Sequence, residues 1–380
     1  MTGGGLGINL LIFHCADTHL GYRTYNKTVP LDEKDAGLNQ READIYDAWD
    51  KLVEEAIKTG PDLFIHAGDF FDRVSPSNRA IVRARDGLYR LSEAGIKSVI
   101  LAGNHETPRL AETGHVFSLL ERIPNVSVFY NGKPEFVEMG DLLVTGVAHS
   151  SSLADRVSQA SPDPNYEYNI LVTHGSVKGA GIGVFENNEL NQTTLPIELF
   201  QKPWDYIALG HYHNFTKLQD NMYYSSSPER LSIAEAESPK GYALVKLPGL
   251  EVTHQEIKAR EFVKLEYDAK THGHDSLTDK LMEAIKFSEP EGKIVRLRIK
   301  NLTKELWATV DRKSLQNVAK KAINLSIEPD LVSSSTFAIS TSEIGALPEE
   351  FQKYIEEVPL EDIDDQEKQF ILEKAQEVLS

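Results

Sequence analysis

Apolar runs rich in strand-forming residues alternate with polar segments, and five of these runs end at polar side chains of a few types. The run at 63–68 ends in glycine and leads directly into Asp69. Such short apolar runs predict buried strands, and open α/β sheets bind ligands at the carboxyl edge of their strands. The pattern therefore predicts one site where five strand ends meet. The other four runs end at these residues: Asp17 and His19, Asn104 and His105, His174, and His211 with His213.

Helical spacing of apolar residues separates the first three strands. Residues 41–59 carry Ile45 and Trp49 on one face, and a Gly-Pro pair ends that helix. A second helix is predicted from a cap at Ser77 to about residue 94, where Gly95 stops it. Strands and helices that alternate at this short spacing predict a layered α/β domain.

The rest of the first domain is predicted as strands and loops, ending near residue 250. Residues 150–166 are rich in Ser, Pro and Asp and indicate a surface loop. Residues 175–194 indicate a long loop beside the site, where it would shape substrate access. Further strands are predicted at 126–129, 142–147, 170–173, 206–210, 222–226 and 242–247.

After residue 256 no aspartate or histidine stands at a strand end, and a small α+β domain is predicted. Its elements are a strand at 257–267, a helix at 276–287, a strand at 294–299 and a helix at 313–323. A Ser- and Thr-rich linker leads to two amphipathic helices joined by an acidic turn. The predicted divisions are 1–250 for the first domain, 251–331 for the small domain, 332–346 for the linker and 347–380 for the helical tail.

The 380 residues suffice for two or three domains, and 41% hydrophobic with 26% charged residues is typical of a soluble protein. Cys15 is the only cysteine, which excludes an internal disulfide and a thiolate metal cluster. The sequence carries no recognisable secretory signal and no run of about 20 apolar residues. A cytoplasmic protein without membrane contact is expected.

The net charge of −18 argues against a simple nucleic-acid-binding protein, because excess Lys and Arg usually contact the phosphates. Residues 347–380 hold eleven acidic and three basic residues, yet the remainder of the chain is acidic as well. Binding of DNA would therefore need local basic patches, bound metals or a partner.

Seven of the strand-end residues have side chains suited to a pair of divalent metals. Imidazole mixed with carboxylate favours Mn, Fe or Zn over Ca and Mg. Two cations about 3.5–4 Å apart need a bridging anion, for which Asp69 is the candidate. Such a pair polarises a phosphoester and activates water, so phosphoester hydrolysis is the predicted reaction. The seven are Asp17, His19, Asp69, Asn104, His174, His211 and His213.

His105 is predicted to act on the substrate, because its neighbour Asn104 already supplies a ligand oxygen. It would protonate the leaving oxygen or stabilise the transition state. Asp72 is predicted to accept a hydrogen bond from the far ring nitrogen of His105 and so to orient the ring. The remaining histidines are interpreted as scaffold or surface residues: His14, His66, His115, His149, His254, His272 and His274.

The order of these motifs resembles the signature of the calcineurin-like metallophosphoesterases. The matching segments are Asp17-Thr-His19, Gly68-Asp-Phe-Phe-Asp72, Gly103-Asn-His-Glu106, His174 and Gly210-His-Tyr-His213. The resemblance implies a four-layer α/β/β/α fold, with two sheets between helices. It further implies one metal held by Asp17, His19, Asp69 and His213, and a second held by Asp69, Asn104, His174 and His211.

Four further motifs are similar to those of SbcD-type double-strand-break repair nucleases, most closely the archaeal ones. They begin at His14, Arg41, Ser227 and Lys240. This resemblance implies a homodimer with two Mn ions per chain, or Mg, Fe or Zn in their place. The implied activities are 3′-to-5′ degradation of duplex DNA ends and cleavage of single-stranded DNA. The small domain would cap DNA, residues 347–380 would bind a coiled-coil ABC-type ATPase of the SbcC kind, and the location would be the nucleoid.

Two other functions remain open from the sequence. The acidic charge and Asp72 favour a phosphoesterase that acts on small phosphodiesters or phosphoproteins. A non-catalytic scaffold would be marked by lost metal ligands, but all seven candidate ligands are present together with His105. The tail also has an alternative, which is to pack on its own chain.

Overall fold

The computed structural model describes residues 9–179, 194–270 and 276–332, and residue 374. The predicted tail and nearly all of the linker lie outside the described residues. The strands are β1 Leu10–Cys15, β2 Leu63–Ala67, β3 Lys97–Leu101, β4 Val126–Phe129, β5 Pro134–Met139, β6 Leu142–Val147, β7 Tyr168–His174, β8 Ser176–Lys178, β9 Thr194–Pro196, β10 Tyr206–Gly210, β11 Phe215–Gln219, β12 Met222–Ser225, β13 Gly241–Leu247, β14 Glu251–Glu256, β15 Phe262–Asp268, β16 Ile294–Leu302 and β17 Asn324–Leu331. The helices are α1 Gln40–Thr59, α2 Asn78–Glu93, α3 Leu153–Gln159, α4 Leu277–Phe287, α5 Lys304–Ala308 and α6 Arg312–Val318.

Two six-stranded sheets contain the predicted strand ends. The first has the order β14-β13-β1-β2-β3-β4, and β1 to β4 in it run parallel. The second has the order β11-β12-β10-β7-β6-β5, and its four central strands are parallel. Because β2 and β7 are buried along their whole length, each contains consecutive apolar residues, Leu63–Ile65 and Ile170–Val172, rather than an alternating pattern.

The two sheets pack against each other, with β2 in contact with β7 and β10. A single core runs through both and includes Phe13 from the first sheet and Val172 from the second. Helices α1 and α2 pack on the first sheet, where Trp49 is fully buried. Helix α3 packs on the second sheet through Leu153 and Val157. This arrangement confirms the predicted four-layer fold.

Several elements of the first domain differ from the prediction. Residues 150–166 are not a loop throughout, because α3 occupies Leu153–Gln159. Leu153 and Val157 lie one helical turn apart and are buried together, a signal that the Ser, Pro and Asp content concealed. The edge strands β5 and β11 were not predicted, and β14 extends the first sheet past residue 250 by pairing with β13.

The predicted small domain has its own core. Strands β15, β16 and β17 form a three-stranded sheet, and helices α4 and α6 pack together. Leu281, Leu297 and Leu315 are fully buried in this core. The predicted helix at 313–323 is too long, since α6 ends at Val318 and the chain then enters β17, which the sequence pattern did not indicate.

The described residues up to 302, together with 306–330, form one compact unit. The division at residue 250 and the limits of the linker and tail stay predictions. Among the helices of the described ranges, none is long and apolar enough to cross a membrane.

Candidate metal centre

The carboxyl ends of parallel strands from both sheets supply all seven predicted ligands. In the first sheet β1 leads into Asp17 and His19, β2 into Asp69, and β3 into Asn104. In the second sheet His174 is the last residue of β7, and β10 leads into His211 and His213. All of these strands point the same way within their sheets, so their polar ends converge.

The backbone at the centre turns sharply as each strand ends. Asp17, His19, Asp69 and His211 all have positive φ, at 57°, 48°, 52° and 99°. Positive φ is uncommon outside glycine and is concentrated at functional sites. Backbone hydrogen bonds between the loop after β1 and the loop after β2 stabilise these turns. In one of them, the amide of His19 donates to the carbonyl of Asp69 at 3.0 Å.

Glycines next to the ligands are required because the chains approach too closely for a side chain. A Cβ on Gly68 would lie 2.2 Å from Nδ1 of His174, and a Cβ on Gly103 would lie 2.1 Å from Oδ1 of Asp69. Gly68 also has a φ of +102°, which L-residues rarely adopt. These two glycines therefore permit the packing of the polar side chains.

Asp69 lies between two groups of candidate metal ligands. One group comes from Asp17, His19 and His213, and the other includes His174 and His211. Its Oδ2 is 3.7 Å from Nε2 of His19 and 3.2 Å from Nε2 of His174. Its Oδ1 accepts a hydrogen bond from the backbone amide of His105 at 3.1 Å, which fixes the carboxylate. One oxygen thus faces both groups, which is the arrangement a bridging ligand needs.

The two groups are each compact. Ligand atoms of Asp17, His19 and His213 lie within 4.8 Å of one another, as do those of Asp69, His174 and His211. Asn104 completes the second group, with its Oδ1 3.1 Å from Nε2 of His174 and 3.2 Å from Nδ1 of His211. The structure therefore brings all seven residues together.

The donor atoms fit divalent metals. His19 is 2% exposed, and neither of its ring nitrogens has a hydrogen-bond partner among the described residues. Burial lowers the pKa of His19 well below its usual value, so its ring is neutral. Neutral imidazoles with carboxylate and amide oxygens form a mixed N and O set of the kind that Mn, Fe and Zn accept.

The protonation states are set by burial and by neighbouring charges. Burial raises the pKa of Asp17 to about 6. Burial also acts against ionisation of Asp69 and His174, but their mutual attraction dominates, so the pKa of Asp69 falls and that of His174 rises to about 9. Only the neutral ring of His174 could serve as a metal ligand, so a bound cation would compete with that proton.

His105 lies at the open side of the cluster. Its Nε2 is 3.9 Å from Oδ2 of Asp69, and its side chain is 28% exposed, whereas that of His19 is 2% exposed. Its Nδ1 lies 3.0 Å from the backbone carbonyl oxygen of Asp72. The predicted contact was to the carboxylate of Asp72, which instead lies 3.8 Å from Nδ1 of His19. The sequence pattern indicated the correct pair of residues but the wrong acceptor atom.

Two residues near this centre had no predicted part in the site: Glu106, and His149, which was interpreted as a scaffold or surface residue. Buried Glu106 accepts hydrogen bonds from the amides of Gly103 and Phe70 at 3.0 and 3.2 Å, tying the ends of β2 and β3 together. Its place in the Gly103-Asn-His-Glu106 segment was the available signal. His149 is close enough for His174 and Asp69 to affect its pKa, although burial is the main cause that lowers that pKa to about 4.

The profile of the calcineurin-like phosphoesterase family matches residues 10–229, which is more than half of the chain. The chain belongs to this family. Three archaeal relatives named DNA double-strand break repair protein Mre11 are each 30% identical to it, which confirms the predicted resemblance.

The relatives match only part of each chain. The Methanococcus maripaludis protein aligns over 62% of this chain and 63% of its own length, and the Sulfurisphaera tokodaii protein over 65% and 62%. The Methanocaldococcus jannaschii protein aligns over 67% of this chain and 69% of its own length. The chain thus spans less than two thirds of the first two relatives.

Proposed function

We propose that this protein is a two-metal nuclease that hydrolyses phosphodiester bonds of DNA in double-strand break repair. The observation that carries the proposal is the position of Asp69 Oδ2, which faces His19 on one side and His174 on the other. The naming of the relatives as double-strand break repair proteins supports DNA as the substrate.

In this proposal each metal has four protein ligands. Bound divalent cations would polarise the phosphodiester and lower the pKa of a water. Mn is the metal that the family resemblance implies, with Mg, Fe or Zn as substitutes; the mixed imidazole and oxygen ligand set suits Mn, Fe and Zn alike and suits Mg less. One ion is held by Asp17, His19, Asp69 and His213, and the other by Asp69, Asn104, His174 and His211.

His105 is the proposed catalytic residue on the substrate side. Its Nδ1 contact with the carbonyl of Asp72 orients the ring and leaves Nε2 directed towards Asp69. With Nδ1–H donated to that carbonyl, Nε2 carries a proton only in the imidazolium form of the ring; in that form Nε2–H would give its proton to the leaving oxygen, leaving a neutral ring, or would stabilise the negative charge of the transition state. Asp72 then acts as a positioning residue through its backbone.

The substrate and partners follow from the family resemblance and the charge. With a net charge of −18, the chain needs help to hold DNA, and a coiled-coil ATPase bound to residues 347–380 would supply it. We propose 3′-to-5′ exonuclease action on duplex ends, endonuclease action on single strands, and a homodimer located with the DNA in the cytoplasm. The domain at 251–331 is proposed to cap the DNA.

A phosphoesterase for small phosphodiesters or phosphoproteins is the second candidate, because the acidic charge favours it. Both candidate functions use the same metal centre and differ only in the substrate that binds there.

The first experiment is a nuclease assay of the purified protein with Mn on end-labelled duplex DNA, circular single-stranded DNA and a small phosphodiester. We expect both DNAs to be degraded, and we expect chelation of the metal to stop the reaction. His105→Ala should lose at least about 100-fold in turnover, the typical contribution of a general acid, while still binding two Mn ions.

The control His254→Gln removes an imidazole from β14, outside the cluster, and should retain activity. Turnover of the small ester alone, with and without the ATPase, would instead support the second candidate. His105→Ala with full activity and normal metal content would remove His105 from the mechanism.

The assembly is tested separately. We expect light scattering to report a dimer of the full chain. Deletion of residues 347–380 should abolish co-purification with the ATPase and leave nuclease activity on single strands. Unchanged co-purification would place the ATPase contact elsewhere, and a monomeric mass would exclude the homodimer.

A further inference from the structure

A buried carboxylate outside the metal centre contacts one of its histidines. Oε1 of Glu235 lies 3.3 Å from Nδ1 of His213, and Glu235 as a residue is 8% exposed. The same oxygen accepts hydrogen bonds from the amide and the hydroxyl of Ser232, at 3.2 and 3.1 Å. The hydrogen bonds from Ser232 therefore fix the carboxylate of Glu235 in the position where it contacts His213.

Lys240 holds both members of this contact. Lys240 as a residue is 1% exposed, and its ammonium group lies 2.5 Å from Oε2 of Glu235. It also donates hydrogen bonds to the backbone carbonyl of His213 at 2.8 Å and to the hydroxyl of Ser227 at 3.0 Å. The lysine thus fixes the backbone of His213 while the glutamate contacts its ring.

We propose that Glu235, held by Lys240, is a positioning residue that orients His213 towards the metal bound by Asp17 and His19. This inference rests on the proposed two-metal function and deepens it. When Nδ1 of His213 donates its hydrogen to Glu235, the lone pair of Nε2 is left for the metal. A carboxylate in this position also strengthens the donor capacity of the ring.

In the second group, no carboxylate oxygen of the described residues lies within hydrogen-bond distance of Nδ1 of His174, since Oδ1 of Asp17 is 3.9 Å away. Nδ1 of His174 lies 2.9 Å from the backbone carbonyl of Ala67, a neutral acceptor on β2. Nδ1 of His213 thus contacts a carboxylate, whereas Nδ1 of His174 contacts a neutral carbonyl oxygen. Loss of Glu235 should weaken the metal that His213 binds and spare the metal that His174 binds.

The experiment is a titration of the metal-free full-length protein with Mn, in which electron paramagnetic resonance measures the free ion. The wild-type chain should bind two ions. Glu235→Gln should weaken one of them by about 10- to 100-fold, the usual effect of removing a partner of a ligating histidine, and leave the other unchanged. Glu237→Gln is the matched control, since Glu237 lies on the same segment and its side chain is 88% exposed.

Glu235→Gln leaves the ammonium of Lys240 buried without its carboxylate, so general destabilisation must be separated from positioning. The double variant Glu235→Gln with Lys240→Met removes that charge and should fold, as checked by circular dichroism, yet still bind one ion weakly. In a His213→Ala background, Glu235→Gln should cause no further loss of affinity, because Glu235 acts through His213.

Two outcomes would overturn the positioning role. One is wild-type affinity for both ions in the double variant, and the other is an additive loss in the His213→Ala background. A wild-type chain that binds fewer than two ions would instead reject the two-metal centre, and the positioning role with it. An unexpected result in the variants alone therefore counts against the positioning role, whereas an unexpected result in the wild-type chain counts against the two-metal centre.

Discussion

Backbone strain at individual ligands is the most local feature of this centre. Asp17, His19, Asp69 and His211 have positive φ, and each such residue costs on the order of 1–3 kcal/mol. These turns follow strands of two sheets that pack against each other, and this packing keeps the strained backbone in place in the folded chain. The benefit is that polar side chains from different strands reach within hydrogen-bond distance of one another.

Gly68→Ala tests this local packing. The new Cβ would lie 2.2 Å from Nδ1 of His174 at a φ of +102°, so we expect about 2–4 kcal/mol of destabilisation and loss of the metal that His174 binds. Urea unfolding and Mn titration measure the two effects.

Gly60→Ala is the control for backbone conformation alone. Gly60 caps α1 with a φ of +61°, and a Cβ there would meet nothing within 4 Å. We expect a cost of only about 1 kcal/mol and unchanged metal binding. Equal costs for the two variants would show that the contact with His174 is not what requires glycine at position 68.

At the scale of elements, the strands that carry chemistry were predictable, as were several central supporting strands, whereas the edge strands β5 and β11 and the short helix α3 were not. The consecutive apolar residues of β2 and β7 stand out because both faces of these strands are buried. Strand β5 has no fully buried residue, and α3 spans only seven residues, so neither has a strong periodic signal. Short or edge elements are specified by what they pack on rather than by their own pattern.

An ionic cluster connects α1 with the segment that leads into β15. The carboxylate of Asp44 accepts hydrogen bonds from Arg41 at 2.6 Å and from Nε of Arg260 at 3.0 Å. Glu229 accepts from the backbone amide of Arg260 at 2.8 Å. Burial opposes the ionisation of Asp44, but Arg260 and Arg41 lower its pKa below the usual value.

Asp44→Asn tests the energetic role of this cluster. Because the folded pKa is below the unfolded value of about 3.9, the carboxylate stabilises the fold above that pH, and the effect is lost as pH falls through the folded pKa. Breaking a buried pair typically costs about 3–5 kcal/mol, which we expect at pH 7. The difference from wild type should narrow below about pH 4.

Urea unfolding at pH 7 and at about pH 3.5 makes the comparison, with 3.9 as the reference pKa. Asp47→Asn is the control on the same helix, since its side chain is 52% exposed and pairs with Lys34. It should cost about 1 kcal/mol or less. An Asp44→Asn cost that is independent of pH would contradict a role for the ionised carboxylate.

At the scale of the whole molecule, charge and site chemistry point to different partners. The centre is suited to phosphodiesters, whereas a net charge of −18 repels a long polyanion. A homodimer bound to an ATPase would remove this conflict by supplying positive surface from the partner. Under the proposed function, the assembly rather than the chain alone would resolve this conflict.

The sequence by itself determined the types of the candidate ligand residues, their order and their place at strand ends. Those properties are local, because a buried strand followed by a glycine and a polar residue is visible in a few consecutive positions. Asp17, Asp69 and His213 were identifiable in this way before any contact was known. The family resemblance added the expectation that two sheets pack against each other between layers of helices.

Only the tertiary structure decided how these residues are supported. It showed that the carbonyl of Asp72 rather than its carboxylate contacts the ring of His105, and that Glu235 and Lys240 hold His213. These contacts join side chains from separate segments, and their geometry depends on strand order and loop conformation. Local periodicity does not contain that information, because one pattern of buried and exposed positions is compatible with many arrangements of neighbours.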